Sequence, residues 1–248
     1  MKSSPNKTPT RFVILFEGRS GSTYLIEALN SHSRIRAEKE LLAAIRNRLE
    51  AGQTDVQDQL DCIERLYRPG DHDYDVIGFK TKMKDIQDPE GLAGVLRDNG
   101  VRVILLRRRN RIKLVVSLLN AMRLNEATGD WNLYREADRQ AKLKLEPGLF
   151  KEWLEASEKA GLELSNYARS LDLPLLELHY EDILLDNQGA FQRVCDFLGT
   201  ACEPLEGRTK KNTSDDLREA LENFGELKAM FEGTQYEEMF DEVLQPGD

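Results

Sequence analysis

The sequence predicts an α/β protein, a three-layer sandwich with a central parallel sheet and helices on both faces. Three observations carry this prediction. Strand-length apolar runs recur at Arg11 to Glu17 (RFVILFE), Val101 to Leu106 (VRVILL) and Leu173 to Tyr180 (LPLLELHY), read as apolar on both faces, as strands between two layers are. Segments with apolar residues at helical spacing alternate with them, the order that builds parallel sheets. A glycine turn follows the first run directly and leads into a helical segment.

Taken in order, residues 1–10 are polar and read as a loose tail, and residues 11–248 as a single domain. The first strand is followed by Gly-Arg-Ser-Gly-Ser and a helix from Thr23 to Asn30. Asp75 to Phe79 reads as a second strand. Pro89 to Asp98 is a short helix, with proline in its first turn and Asn99-Gly100 as its stop. After Val101 to Leu106, Asn110 caps a helix running to about Met122. The polar stretch 123–147 gives no pattern. Gly148 to Leu171 is a long amphipathic helix with a bend expected at Gly161. Leu173 to Tyr180 is the last strand, Asn187 to Leu198 a helix closed by Gly199, and Thr213 to Leu244 helical and charged.

Composition narrows the function. The chain of 248 residues is 40% apolar and carries a net charge of −9, which argues against a nucleic-acid partner. No apolar run approaches the ~20 residues of a membrane-spanning helix, and no signal-peptide pattern opens the chain, so a cytoplasmic location is expected. The three cysteines and three histidines lack metal-ligand spacing, so no metal is expected. A homodimer is compatible with the sequence. Against this acidic background two basic islands stand out, Arg107 to Lys113 and Lys210-Lys211, and they point to a small polyanionic ligand.

The strand–turn–helix at Phe16 to Thr23 is P-loop-like. Gly18 and Gly21 let backbone N–H groups converge, and the next helix turns its N-terminus to the same point. Arg19 adds charge, and Ser20, Ser22 and Thr23 add hydroxyls. No lysine follows the second glycine, unlike an ATP-binding loop. A second anion element follows the third strand. Arg109 stands at the strand's end, and Ser117 comes eight residues later on the adjoining helix. Cations at a helix N-terminus oppose its dipole unless an anion balances them.

These residues resemble the sulfotransferases that use PAPS (3′-phosphoadenosine 5′-phosphosulfate) as donor, in particular bacterial members acting on carbohydrates or lipids. Arg19-Ser20-Gly21-Ser22-Thr23 resembles the family's 5′-phosphosulfate loop. Arg109 with Ser117 resembles its 3′-phosphate element, although Asn110-Arg111 stands where Asp-Pro is usual. Ser31-His32-Ser33-Arg34-Ile35 resembles S-H-P-x-I, Tyr180-Glu181-Asp182 resembles the Y-E-D segment, and Lys210-Lys211-Asn212 and Phe231 to Tyr236 resemble the tail. The resemblance implies PAPS as donor, PAP as product and a hydroxyl acceptor. It implies that Arg19, Ser20, Gly21, Ser22 and Thr23 hold the 5′-phosphosulfate, and that Arg109 and Ser117 hold the 3′-phosphate under Lys210 and Lys211. It implies Glu40 as base, eight residues after His32, with Glu38 next and His32 third. Arg19 is the expected cation at the leaving oxygen. Burial is expected to raise the base's pKa. Lys80 is read as a strand-end surface lysine, and Tyr180 and Glu181 as architectural. Trp131, Tyr134 and Trp153 are candidates for an acceptor pocket, with core packing preferred for Trp153. Two other readings stay open: a small-molecule kinase using ATP and magnesium, and a non-catalytic nucleotide-binding protein.

Overall fold

The computed structural model describes residues 8–52, 55–68, 73–207 and 211–244. In chain order these form β1 (Thr10–Phe16), α1 (Ser22–Ser31), β2 (Ile35–Glu38), α2 (Leu41–Glu50), α3 (Gln57–Tyr67), β3 (Val76–Thr81), α4 (Pro89–Asp98), β4 (Arg102–Arg107) and α5 (Arg111–Thr128). There follow α6 (Pro147–Ser170), β5 (Leu175–His179), α7 (Tyr180–Leu185), α8 (Asn187–Leu198), α9 (Leu217–Ala220), α10 (Phe224–Met230) and α11 (Glu237–Asp241). Five strands make one all-parallel sheet in the order β2-β3-β1-β4-β5.

The period-two geometry of a strand explains the layers. Phe12, Ile14 and Phe16 point from β1 to one face and pack with α1 and α8 through Leu25, Leu29, Phe191 and Val194. Val13 and Leu15 point to the other face and pack with α3, α4 and α6 through Ile63, Leu92, Leu96 and Leu164. Both sets are buried, so β1 is the sheet's core strand, and its direction fixes where the loop after it opens. A third cluster joins α5 and α6 to the C-terminal helices through Val115, Phe150, Leu227 and Phe240. Trp153 packs at its margin, as expected of a core residue.

Several boundaries match the sequence reading closely. α4 begins at Pro89 with the Asp88 carboxylate accepting from Gly91 N at 2.9 Å. Asn110 caps α5 by accepting from Lys113 N at 2.8 Å, although the helix runs to Thr128 rather than Met122. Four expectations need correction. β2, α2 and α3 occupy a stretch to which the sequence assigned no element. β5 is a half-exposed edge strand, not apolar on both faces. α6 runs Pro147–Ser170, one residue short of the Leu171 end expected, and at Gly161 the missing side chain makes room for the Glu17 carboxylate. The region from Thr213 to Leu244 is three short helices and their linkers. Of the expected tail, residues 1–7 lie outside the described residues, and β1 begins at Thr10.

Gly78 sets the spacing between β1 and β3. A Cβ there would meet the Phe12 carbonyl oxygen at 2.3 Å and the Phe12 ring at 2.4 Å. The first contact is backbone and cannot swing away. Gly78→Ala is therefore expected to destabilise the protein by about 1–3 kcal/mol, the usual penalty for overpacking. Urea unfolding checks this, and an unchanged midpoint would contradict the packing described here.

Candidate functional site

In an open parallel sheet the chain reverses direction between the strands on either side of β1, and ligands bind beyond the carboxyl ends at that point. Here the crevice lies between β1 and β4. The loop 17–21 leaves β1, residues 108–110 leave β4, and Glu17 N donates to Leu106 O at 3.2 Å where the two diverge.

The first loop is built by its backbone. Gly21 caps α1 at φ 83°, and a Cβ on it would stand 2.9 Å from the Tyr180 ring, so glycine answers both a left-handed conformation and a close approach. Arg19 also has a positive φ, 66°, which a side chain disfavours. Ser20 folds back, its hydroxyl donating to Glu17 O at 2.6 Å. Gly21, Ser22 and Thr23 line a cavity of about 390 Å³, within the usual range for a small-molecule site. Ser20 is fully buried and is not on its wall.

The arginine-rich element is balanced mostly by the protein itself. Arg111 pairs with Glu17 at 2.8 Å, and Arg107 reaches the same carboxylate at 3.6 Å. Lys113 is buried against Asp215 at 2.8 Å and Glu242 at 3.6 Å. Arg109 points outward, half-exposed, to Asp182 at 2.7 Å. Arg108 is the exception. It is buried on the cavity wall, stacks 4.5 Å over the Tyr180 ring and lies 4.0 Å from Glu181. Its buried Nε has no hydrogen-bond partner among the described residues. Of this arginine run it is thus Arg108 and not Arg109 that lines the cavity. The strand ends at Arg107, so the next residue turns inward over Tyr180 while Arg109 follows Asp182 to the surface.

Arg19 closes the gap between the two elements. Its Nε donates to Ser117 Oγ at 3.2 Å, and Nη1 donates to Trp131 O at 2.9 Å and Asn132 Oδ1 at 3.2 Å. None of these acceptors is ionised. Burial, and then the neighbouring Arg108, push the Arg19 pKa down to about 10. Two cations thus meet on one cavity wall, Arg19 with no carboxylate partner among the described residues and Arg108 with only Glu181 at 4.0 Å, an arrangement suited to an anion. The buried Asn212 amide, on the same wall, has neither its nitrogen nor its oxygen satisfied. Lys211 and Thr213 also line the cavity, with Lys211 paired to Asp215 at 2.8 Å. Lys210 lies outside the described residues. Tyr24, Ile183, Leu184 and Asn187 give the far end an apolar and amide character suited to a nucleobase.

Sequence reasoning missed two residues here. Tyr180 was set aside as architectural, yet its ring lines the cavity under Arg108. Glu181 does serve the architecture, accepting from the backbone N–H groups of Arg109 and Asn110. Lys80 is not a surface lysine. It is 2% exposed, and its Nζ donates to Ser22 Oγ at 3.3 Å and Thr23 Oγ1 at 3.2 Å. The same ammonium lies 3.3 Å from Glu40 Oε1 and 4.9 Å over the Phe16 ring. The strand pattern that suggested a solvated end holds no signal for this, because the partners come from α1 and from the end of β2.

Glu40 follows β2 at the same edge of the sheet and is also hydrogen-bonded by Lys82. Burial pushes its pKa up, but Lys82 and Lys80 outweigh that and the net direction is down, opposite to the expectation from sequence. Lys80 is pushed down to about 8, chiefly by burial, with Glu40 opposing. Glu38 instead pairs with Arg36 at 2.7 Å. His32 is structural: Nε2 bonds to Ala201 O at 2.7 Å, and Nδ1 accepts from Arg34 N at 3.0 Å. A second cavity, about 520 Å³, opens beside Glu40 and is bordered by Asn30, Arg36, Glu38 and Lys39.

No protein-family profile matches the chain. In sequence it is similar to Nodulation protein H of Rhizobium tropici, 28% identical over 245 residues that cover 94% of each chain. Nodulation protein H of Rhizobium meliloti is 26% identical over 243 residues, covering 94% of this chain and 96% of that one. Among solved structures it is similar to a sulfotransferase from Alicyclobacillus acidocaldarius, with TM-score 0.49 and 18% identity over 93% of this chain and 92% of the other. It is also similar to mouse sulfotransferase SULT7A1 complexed with PAP, with TM-score 0.48 and 12% identity over 78% of this chain. That match spans 60% of the mouse protein's length. Both anion elements are thus present in order and face one cavity, in a chain similar along 94% of its length to Nodulation protein H.

Proposed function

We propose that this protein moves a sulfuryl group from PAPS to an acceptor hydroxyl, with Glu40 as the base. One observation carries the reading: Lys80 joins the donor loop to the carboxylate, touching Ser22, Thr23 and Glu40 with a single ammonium. The residues present fit the donor. Arg108 Nε and the Asn212 side-chain amide are buried and without hydrogen-bond partners among the described residues, on the wall of a nucleotide-sized cavity.

When bound, PAPS supplies an activated sulfuryl group and a phosphate that gains negative charge as the bond to sulfur breaks. Ser22, Thr23 and the N-terminus of α1 support the 5′-phosphosulfate. Arg19 lies beside them and stabilises the charge at the leaving oxygen. Arg108, Ser117 and Lys211 grip the 3′-phosphate, with Arg108 in the part that the family resemblance implies for Arg109. Lys80 orients the sulfuryl group toward the acceptor. Glu40 takes the acceptor's proton as the oxygen attacks. Its two lysines keep it ionised at neutral pH, so it is ready as a base without prior deprotonation. The acceptor enters from the cavity beside Glu40. The kinase reading lacks support, because the loop has no lysine of its own and its hydroxyls are engaged by Lys80.

PAP is expected to raise the melting temperature in the presence of EDTA, and by more than ATP with magnesium does. The opposite ranking would return the kinase reading. Arg108→Ala is expected to weaken PAP binding at least tenfold in titration calorimetry, as loss of a charged hydrogen-bonding group does, with Arg109→Ala costing under threefold. Equal losses would restore Arg109 to the site. The pH profile follows from the lysine. Lys80 loses its charge as pH rises through about 8, so sulfuryl transfer should fall on that limb. In Lys80→Arg the alkaline limb should move upward by more than one pH unit, since guanidinium keeps its proton. A limb that stays near 8 in that variant would assign it to another group.

A further inference from the structure

We propose that Asn132 is a positioning residue for the transfer, holding Arg19 through a neutral acceptor so that the guanidinium keeps its full charge for the donor. The inference rests on the role given above to Arg19.

The segment between α5 and α6 gave no pattern in the sequence, yet it reaches the donor loop. It is anchored at several points. Leu133 is buried. Arg123 of α5 donates to Ala141 O and, at 3.4 Å, to Lys142 O. Arg139 donates to Asn212 O at 3.0 Å and Lys211 O at 3.3 Å, tying the segment to the C-terminal stretch that lines the same cavity. At its tip, Trp131 O and Asn132 Oδ1 both accept from Arg19 Nη1. A guanidinium has donors only, so the amide must turn its oxygen to it.

The chemistry of that acceptor matters. A buried arginine is most often met by a carboxylate, and aspartate has the same shape as asparagine. Asparagine gives the hydrogen bond and withholds the charge. With Ser117 Oγ and a backbone carbonyl as its other partners, Arg19 is aimed by three dipoles and neutralised by none. In a crevice of reduced dielectric, an aspartate here would cancel the cation and repel the incoming polyanion. Fixing the side chain before the donor arrives also lowers the ordering cost of binding.

The test is a ranking that a packing role cannot produce. PAP affinity is measured by titration calorimetry for the wild type and for Asn132→Ala, Asn132→Ser and Asn132→Asp, with melting temperatures recorded without ligand. If Asn132 only fills space, the isosteric aspartate is the mildest change. The proposal expects the reverse: alanine about tenfold weaker, aspartate about a hundredfold weaker, and serine between wild type and alanine. In an Arg19→Ala background the tenfold loss from Asn132→Ala should disappear, because no guanidinium is left to hold. Aspartate binding as well as alanine, or an alanine loss unchanged without Arg19, would overturn the proposal. Should the alanine variant fail to fold, the serine–aspartate comparison carries the same test. A folded wild-type protein that does not bind PAP would sink the assigned function itself, and this inference with it.

Discussion

The arrangement at this site depends on an imbalance of buried charge. Glu17, Glu181, Asp182, Asp215 and Glu242 surround the end of β4 and the start of α5, and they pair with Arg107, Arg109, Arg111 and Lys113. The cluster would otherwise repel itself and oppose the helix dipole. Among the described residues Arg19 has no carboxylate partner and Arg108 only Glu181 at 4.0 Å, and both stand on the cavity wall. Desolvating a guanidinium without a full partner is costly. That cost is what a bisphosphorylated ligand relieves, so binding strength here comes from a deficit built into the folded protein.

The second half of the site uses the same physics with the opposite sign. Glu40 is over-supplied with cations, and Lys80 and Lys82 hold it ionised. Lys80 in turn is held in the protein interior by hydroxyls, a carboxylate and the face of Phe16. The loop after β1 and the Glu40 carboxylate are thereby joined through Lys80, although the three parts arise from the start of α1, the N-cap of α2 and β3. The register of β1 against β3, tight at Gly78, sets the position of Lys80 two residues further along the same strand.

Much of this was legible in the residues alone, and the exceptions have physical causes. The sheet was readable because buried strands are uniformly apolar, and the first loop because glycines and hydroxyls cluster after a strand. α4 and α8 were readable from Pro89, Asn99-Gly100 and Gly199, which act within a few residues of themselves. β2 was missed because four residues with alternating burial give too short a signal. The choice between Arg108 and Arg109 turned on a single residue of strand length. Lys80, Tyr180 and Asn132 were misjudged or passed over because their partners lie far away in the chain: Lys80 meets α1, Tyr180 meets Gly21, and Asn132 meets Arg19. Local pattern cannot see such contacts.

The left-handed backbone of Arg19 bears on how this protein evolves. A glycine would sit there without strain, and mutational drift that favours a sturdier fold would push the codon in that direction. Under the role proposed for Arg19, selection on turnover opposes the push. Lineages that lose the need for the reaction should therefore surrender this arginine early, while the rest of the sheet stays intact, and a glycine at the position would mark a descendant that has kept the scaffold and abandoned the chemistry.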